Sequence, residues 1–187
     1  SGDALTDADF NTLVGFGAGA TDTKGNKTTA LGYQALGTQN FTSPTDNYNT
    51  GVGYNVGVLL TTGIQNTLLG SLAGDALTDA DFNVAIGMNA LTSDTKGNKS
   101  IAIGEGALQT QNFTSSTDTS NTAIGFQAGA NITTGTSNTL LGSKAGQNVS
   151  TGASNILIGE KAGAHSTNLT TGQANILIGD LTDSSAS

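Results

Sequence analysis

The sequence predicts an all-β fold: a parallel β-roll, or β-solenoid, of about ten coils of 17 to 21 residues. Three observations predict it. An aliphatic residue followed by glycine recurs ten times, at Gly15, Gly32, Gly53, Gly70, Gly87, Gly104, Gly125, Gly142, Gly159 and Gly179, with successive spacings of 17, 21, 17, 17, 17, 21, 17, 17 and 20 residues. The two residues before each glycine are small or apolar. Asparagine stands four residues ahead of eight of the ten glycines. A fixed period just under 20 residues is the mark of one supersecondary unit stacked on the next.

Counting each coil from its glycine as zero, position −1 is always a branched aliphatic and position −2 is Leu, Ala or Gly. Neighbouring residues of a strand point to opposite faces. Both faces of this strand are therefore apolar, and a strand buried on both sides needs protein on each side. Position −4 is Asn11, Asn49, Asn66, Asn83, Asn121, Asn138, Asn155 and Asn175. Stacked at the strand spacing of about 4.8 Å, such side chains are expected to bond one another along a ladder. Position +3 is Ala in most coils and +4 is often Gly, which suits a tight corner whose backbone a Cβ would disfavour.

A second element is expected ahead of each strand. Leu60-Thr-Thr-Gly63, Ile132-Thr-Thr-Gly135, Val149-Ser-Thr-Gly152 and Leu169-Thr-Thr-Gly172 read as short strands with one inward residue, each ending on a glycine turn. Gly25 and Gly97, within two Asp-Thr-Lys-Gly-Asn-Lys segments, fall in the same register. Each coil is then two strands and two turns.

Residues 1–187 read as a single repeat domain. Residues 3–74 align without gaps to 75–146 with 44 identities in 72 positions, and 147–187 form a partial third block. The four extra residues of the 21-residue coils fall in the Thr-Gln-Asn-Phe-Thr-Ser segments at 38 and 110. These are expected to project as loops on one face. Because the chain starts at Ser1 and not Met, it is expected to be a piece of something longer.

Composition narrows the function. A net charge of −8 with six Lys and no Arg argues against nucleic acid and anionic membranes as partners. No stretch approaches the ~20 apolar residues of a membrane span, so no membrane insertion is expected. Absence of Cys removes disulfides and thiolate metal sites. Each coil supplies only a few sizeable apolar residues, at −10, −2 and −1. A lone roll would be thin, and since the −1/−2 strand is apolar on both sides, one face is expected to line the roll's own interior and the other to pack against partner chains around an axis. The predicted partner is the chain itself, as a closed homotrimer.

The phrase Asn121-Thr-Ala-Ile-Gly-Phe-Gln-Ala-Gly129, with Asn83-Val-Ala-Ile-Gly87 and Ser100-Ile-Ala-Ile-Gly104, resembles the head repeat of YadA-like trimeric autotransporter adhesins and similar repeats of bacteriophage tail fibres. The resemblance covers essentially the whole chain. It implies a left-handed, trimeric parallel β-roll that works by attachment, outside the cell on a cell surface or a virion. The 17-residue period and the Thr-Thr-Gly turn depart from the adhesin pattern and favour the fibre side of the resemblance.

Candidate chemistry is sparse. Asp7/Asp9 and Asp79/Asp81 would place two carboxylates on one face of a strand about 7 Å apart, a separation that suits inverting glycoside hydrolysis, but they occupy turn positions where Asp is a common former. Neither a catalytic set nor a metal site is expected, since dense calcium-loop carboxylates are absent. His165 is read as an exposed turn residue, the seven Asn-x-Ser/Thr sequons as a by-product of composition, and no cofactor is implied. The aromatics Phe41, Tyr48, Phe113, Tyr33 and Tyr54 have two readings, as cover for the roll's edges and as saccharide platforms; on the second, a surface glycan or surface-protein receptor is the expected external partner. Two rivals come from other classes. Rows of Thr on a flat solenoid face would suit an ice-binding protein, and a β-helix of this kind could degrade polysaccharide.

Overall fold

The computed structural model describes residues 1–164 and 169–180. His165 and the sequon at Asn168 lie outside the described residues. The strands are β1 (Thr12–Val14), β2 (Gly25–Asn26), β3 (Thr29–Leu31), β4 (Thr45–Asp46), β5 (Thr50–Val52), β6 (Thr67–Leu69), β7 (Val84–Ile86), β8 (Gly97–Asn98), β9 (Ile101–Ile103), β10 (Thr117–Asp118), β11 (Thr122–Ile124), β12 (Thr139–Leu141), β13 (Ile156–Ile158) and β14 (Ile176–Ile178). Ten of them, at positions −3 to −1 of their coils, form one parallel sheet in the order β1-β3-β5-β6-β7-β9-β11-β12-β13-β14. The chain is a β-solenoid of about ten turns.

Register holds throughout. Leu13 pairs with Ala30, and Ala30 with Gly51 across the first 21-residue coil. The extra residues leave the sheet without shifting it.

The second strand is corrected. Among the described residues, a second ladder exists only beside the insertions, where β2 pairs with β4 and β8 with β10. In the Thr-Thr-Gly coils this segment is a bend. Its amides still reach the next coil, as from Thr61 N to Thr78 O at 2.7 Å and Thr133 N to Ser150 O at 2.9 Å. The inward residue was placed correctly, since Leu60, Ile132, Val149 and Leu169 are buried. Gly63 needs no left-handed backbone; a Cβ there would strike the carbonyl of Ala80 in the next coil. The turn lies two residues on, at position −5.

That position is left-handed in all ten coils, with φ between 51° and 62° from Phe10 to Ala174, and it is never glycine. Each such residue costs about 1–2 kcal/mol. The corner is held by amide bonds to the coil before it, such as Lys27 N to Asp9 O at 3.0 Å and Gln65 N to Asn47 O at 2.7 Å. The glycine at zero is different in kind. Its φ lies between 127° and 148°, and a Cβ on Gly87 would lie 2.6 Å from the Gly104 carbonyl carbon. Ten glycine backbones stack directly on one another, and no side chain fits between them.

The core is a column of small layers. Where −2 is Leu, as at Leu68, Leu140 and Leu157, +4 is Gly74, Gly146 and Gly163; where −2 is Ala30, Ala85 or Ala102, +4 is Leu36, Leu91 or Leu108, all buried. The swap conserves volume within a layer. The two 21-residue coils are small at both positions and borrow from their neighbours. A Cβ on Gly57 would meet Leu68 Cδ1 at 2.7 Å and Leu36 Cδ2 at 2.8 Å.

The Asn ladder forms as expected, and it does more than join side chains. Asn66 Oδ1 accepts the backbone N–H of Asn83 at 3.0 Å, while its Nδ2 donates to Ala80 O at 2.8 Å. Equivalent bonds recur at Asn49, Asn138 and Asn155. Each Asn thus satisfies two buried main-chain groups of the next coil, which matters because an orphaned group costs about 1–3 kcal/mol.

Two outcomes follow for stability. Gly87→Ala is expected to abolish cooperative folding or lower the melting temperature by roughly 10 °C or more, read by circular dichroism, whereas Ser154→Gly at a left-handed corner should stay within about 1 kcal/mol of the parent. Asn66→Ala should cost about 2–4 kcal/mol in urea unfolding, because it strands two groups at once.

Candidate functional site

The insertions are the most elaborate polar structure on the chain. At position −10, where other coils bury Leu, Ile or Val, the coils ahead of the insertions bury Asp22 and Asp94. Asp22 Oδ1 accepts Gly25 N at 2.9 Å and Phe41 N at 3.3 Å, and Oδ2 accepts Gln39 Nε2 at 2.6 Å. Gln39 Nε2 also donates to Thr28 Oγ1 at 2.9 Å, and its Oε1 accepts Asn49 Nδ2 at 2.9 Å. Asp94, Gly97, Phe113, Gln111, Ser100 and Asn121 repeat the arrangement. Thr28 and Ser100 are the two coils that lack Asn at −4. The glutamine of the insertion occupies the ladder there, so the two exceptions have one cause.

Phe41 and Phe113 are 5% and 8% exposed. Their assignment as saccharide platforms is therefore corrected: the rings seal the base of each loop, and the exposed tips are 42–44 and 114–116. Of the two readings, burial favours the structural one for Phe41 and Phe113; the sequence did not choose between them because the buried carboxylate that anchors each Phe backbone lies 19 residues away. The signal was present in Asp22 and Asp94, the polar residues standing at an apolar position.

Tyr48 is exposed, at 51%. Lys27 Nζ lies 4.8 Å from the centre of its ring, 3.0 Å from its hydroxyl and 2.5 Å from Asp46 Oδ2. Lys99 and Asp118 make the same pair at 2.6 Å, with Ser120 in place of the tyrosine. The Lys27 hydrogen bond holds the Asp46 carboxyl below its ordinary value, and Lys99 does the same for Asp118. A depressed carboxyl pKa means that each pair persists at neutral pH and is lost as the pH falls through that lowered value. Exposed pairs of this kind add little to stability.

Tyr33 and Tyr54 are also exposed, but Phe16, Tyr33 and Tyr54 stack on one another at 5.6 and 5.4 Å with planes 12° apart. Both faces of Tyr33 are covered by its neighbours, leaving its edge for any ligand.

The outer face of the ten-stranded sheet carries an aliphatic at −1 in every coil and Thr at −3 in six of the ten. Position −2 points in, and positions −1 and −3 point out. Val14, Leu31, Leu69, Ile124, Leu141 and Ile178 at −1 are exposed, as are Ile101, Ile156 and Ile176 at −3. Isolated exposed aliphatics are ordinary, whereas a continuous stripe marks a contact surface.

The Thr rows proposed for ice are turned to another use. Thr6, Thr61 and Thr78 donate their hydroxyls to carbonyls of the next coil, Thr61 Oγ1 to Thr78 O at 2.9 Å, and so brace the stack. The paired aspartates are structural where their bonds are seen: Asp81 Oδ1 accepts Ile64 N at 2.8 Å, and Asp79 faces Lys96 at 3.5 Å. Among the described residues no group of three or more His, Cys, Asp or Glu could hold a metal ion, and no helix is long and apolar enough to cross a membrane.

Comparison with protein-family models, curated proteins and solved structures finds no match.

Phe41→Ala is expected to cost about 3–5 kcal/mol of stability as a core truncation, read by chemical denaturation. In a carboxyl-detected NMR titration, Asp46 and Asp118 should have midpoints below 3.8, the ordinary aspartate value here, and Lys27→Ala should return Asp46 towards it.

Proposed function

We propose that the chain is a non-enzymatic attachment module, a left-handed homotrimeric β-roll within an extracellular fibre or adhesin head of the kind its repeats resemble, on a virion or a cell surface. The observation that carries this reading is the uncovered apolar stripe along the whole ten-stranded sheet. A face of aliphatic side chains at the strand spacing is costly to leave in water, at about 25 cal/mol per Å² of apolar surface. A second copy presents the same stripe with the same period, so a closed ring of chains buries it rung by rung. The acidic surface keeps such a fibre apart from other anionic matter. Rigidity comes from the stack, and three copies multiply weak contacts. The external partner is a surface glycan or surface protein.

One observation favours a second reading. Thr12, Thr29, Thr50 and Thr67 at −3, beside aliphatics at −1, set a row of hydroxyls and methyls on a flat outer face, a pattern that could order water as an ice-binding surface does. The row breaks at Val84 and Ile101, resumes at Thr122 and Thr139, and ends at Ile156 and Ile176. Both readings need the same face, so they exclude each other.

Light scattering separates them. The parent chain is expected at three times the chain mass of 18.5 kDa, and Ile101→Asp should give a folded monomer with unchanged circular dichroism. A parent that is a stable monomer, with thermal hysteresis well above that of a control protein, would replace the attachment reading with the ice-binding one.

A further inference from the structure

We propose that the two insertion loops are paired copies of one recognition unit, set to hold a single uncharged, hydroxyl-rich polymer such as a neutral polysaccharide at two points. The inference rests on the attachment reading and says what is attached to.

Each loop stands on the same buried Asp–Gln–Phe base, and each tip is braced alike, by Thr45 Oγ1 to Ser43 O at 2.9 Å and Thr117 Oγ1 to Ser115 O at 3.0 Å. Above that base, Lys27, Asn40, Thr42, Ser43 and Asp46 are each identical to the residue 72 positions later. None of the five is buried in the core. Parts of the outer sheet face and of the aromatic column have drifted between the same two blocks, Phe16 to Met88, Tyr33 to Glu105 and Thr29 to Ile101, while Thr50, Thr67 and Leu69 are kept at 122, 139 and 141. Burial accounts for the sameness of Asp22, Gln39 and Phe41. It does not account for that of the other five, Lys27 half-buried and the rest exposed, nor for that of exposed Asp7 and Phe10.

Their chemistry is one amide, two hydroxyls and an ion pair that is neutral as a unit, with Lys27 on Asp46 at 2.5 Å and Lys99 on Asp118 at 2.6 Å. Such a set offers hydrogen-bond donors and acceptors at no net charge, which fits a polyol. An anionic polymer would meet lysines already held by carboxylates on a chain of net charge −8. The strands that follow the two loops, β5 and β11, are four steps apart in a sheet of unbroken register, roughly 19 Å at the strand spacing. Both loops leave their coils at the same point, so a linear polymer lying along the roll meets them in turn.

The test is a printed array of neutral linear glycans of graded length, with sialylated and sulfated counterparts alongside, probed with the whole chain. Ser43→Arg and Ser115→Arg block one tip each, both at exposed positions, and melting curves within a few degrees of the parent check the fold. The parent should bind long neutral glycans at least roughly 10²-fold more tightly than short ones. Either single variant should lose that length dependence, and the double variant should lose binding. Equal affinity for long and short glycans, unchanged binding by the double variant, binding of charged glycans alone, or binding of no glycan would each overturn the inference. Applied to cells that bind the parent chain, a double variant that still attaches leaves the attachment reading intact without these loops. A parent chain that attaches to nothing removes both.

Discussion

Everything in this molecule depends on how closely consecutive coils approach along the axis. At the core glycines, main chain lies on main chain with no room for a Cβ. That contact fixes the spacing, and the spacing makes every other interaction repeat: sheet hydrogen bonds, leucine layers, Asn ladder and threonine braces each join a residue to its counterpart one coil away. Stability in such an array is a sum of nearest-neighbour terms. It also explains how the chain tolerates a non-glycine left-handed corner in every coil. The strain is local and modest, and the corner amides of Lys27, Gln65, Phe82, Lys99, Ser137, Ser154 and Ala174 each donate to a carbonyl of the preceding coil.

The same logic governs the departures from the repeat. An insertion in a stack cannot alter the register of the sheet without ending it, so the extra residues must leave and return at one level. The chain achieves this with a polar plug. Asp22 replaces an aliphatic, Gln39 enters the asparagine ladder, and Phe41 covers the opening, so that five unusual residues including Thr28 and Asn47 form one device. A buried carboxylate with neutral amide donors is tolerable because its oxygens all find partners. The duplicate at Asp94 shows that the device is portable as a unit.

Three outer surfaces have distinct characters. The sheet face is aliphatic and flat, the aromatic column is stacked upon itself, and the insertion tips are polar and braced. Only a partner with the same period suits the first, and the second has its inner ring faces covered. The third is braced by a hydrogen bond within each tip and has no role in the core, and the proposal of recognition there rests on that.

The repeat, its ten coils, the inward −10 position and the Asn ladder were legible in the sequence because strand alternation and a constant period leave few other arrangements for such a pattern. Which of −1 and −2 faces inward was not legible, because both positions are apolar in most coils and only the closing of the roll decides between them. What the sequence could not show was which polar residues belong to one another. Asp22 and Gln39 are 17 residues apart, and only the stacking of two coils makes them neighbours. The same is true of the fate of the aromatics: Phe41 and Tyr48 are similar residues in one segment, and one is buried while the other lies beneath a lysine. Periodicity determines which way a side chain leaves the backbone; tertiary structure decides what it meets, because that depends on the coil above and the coil below.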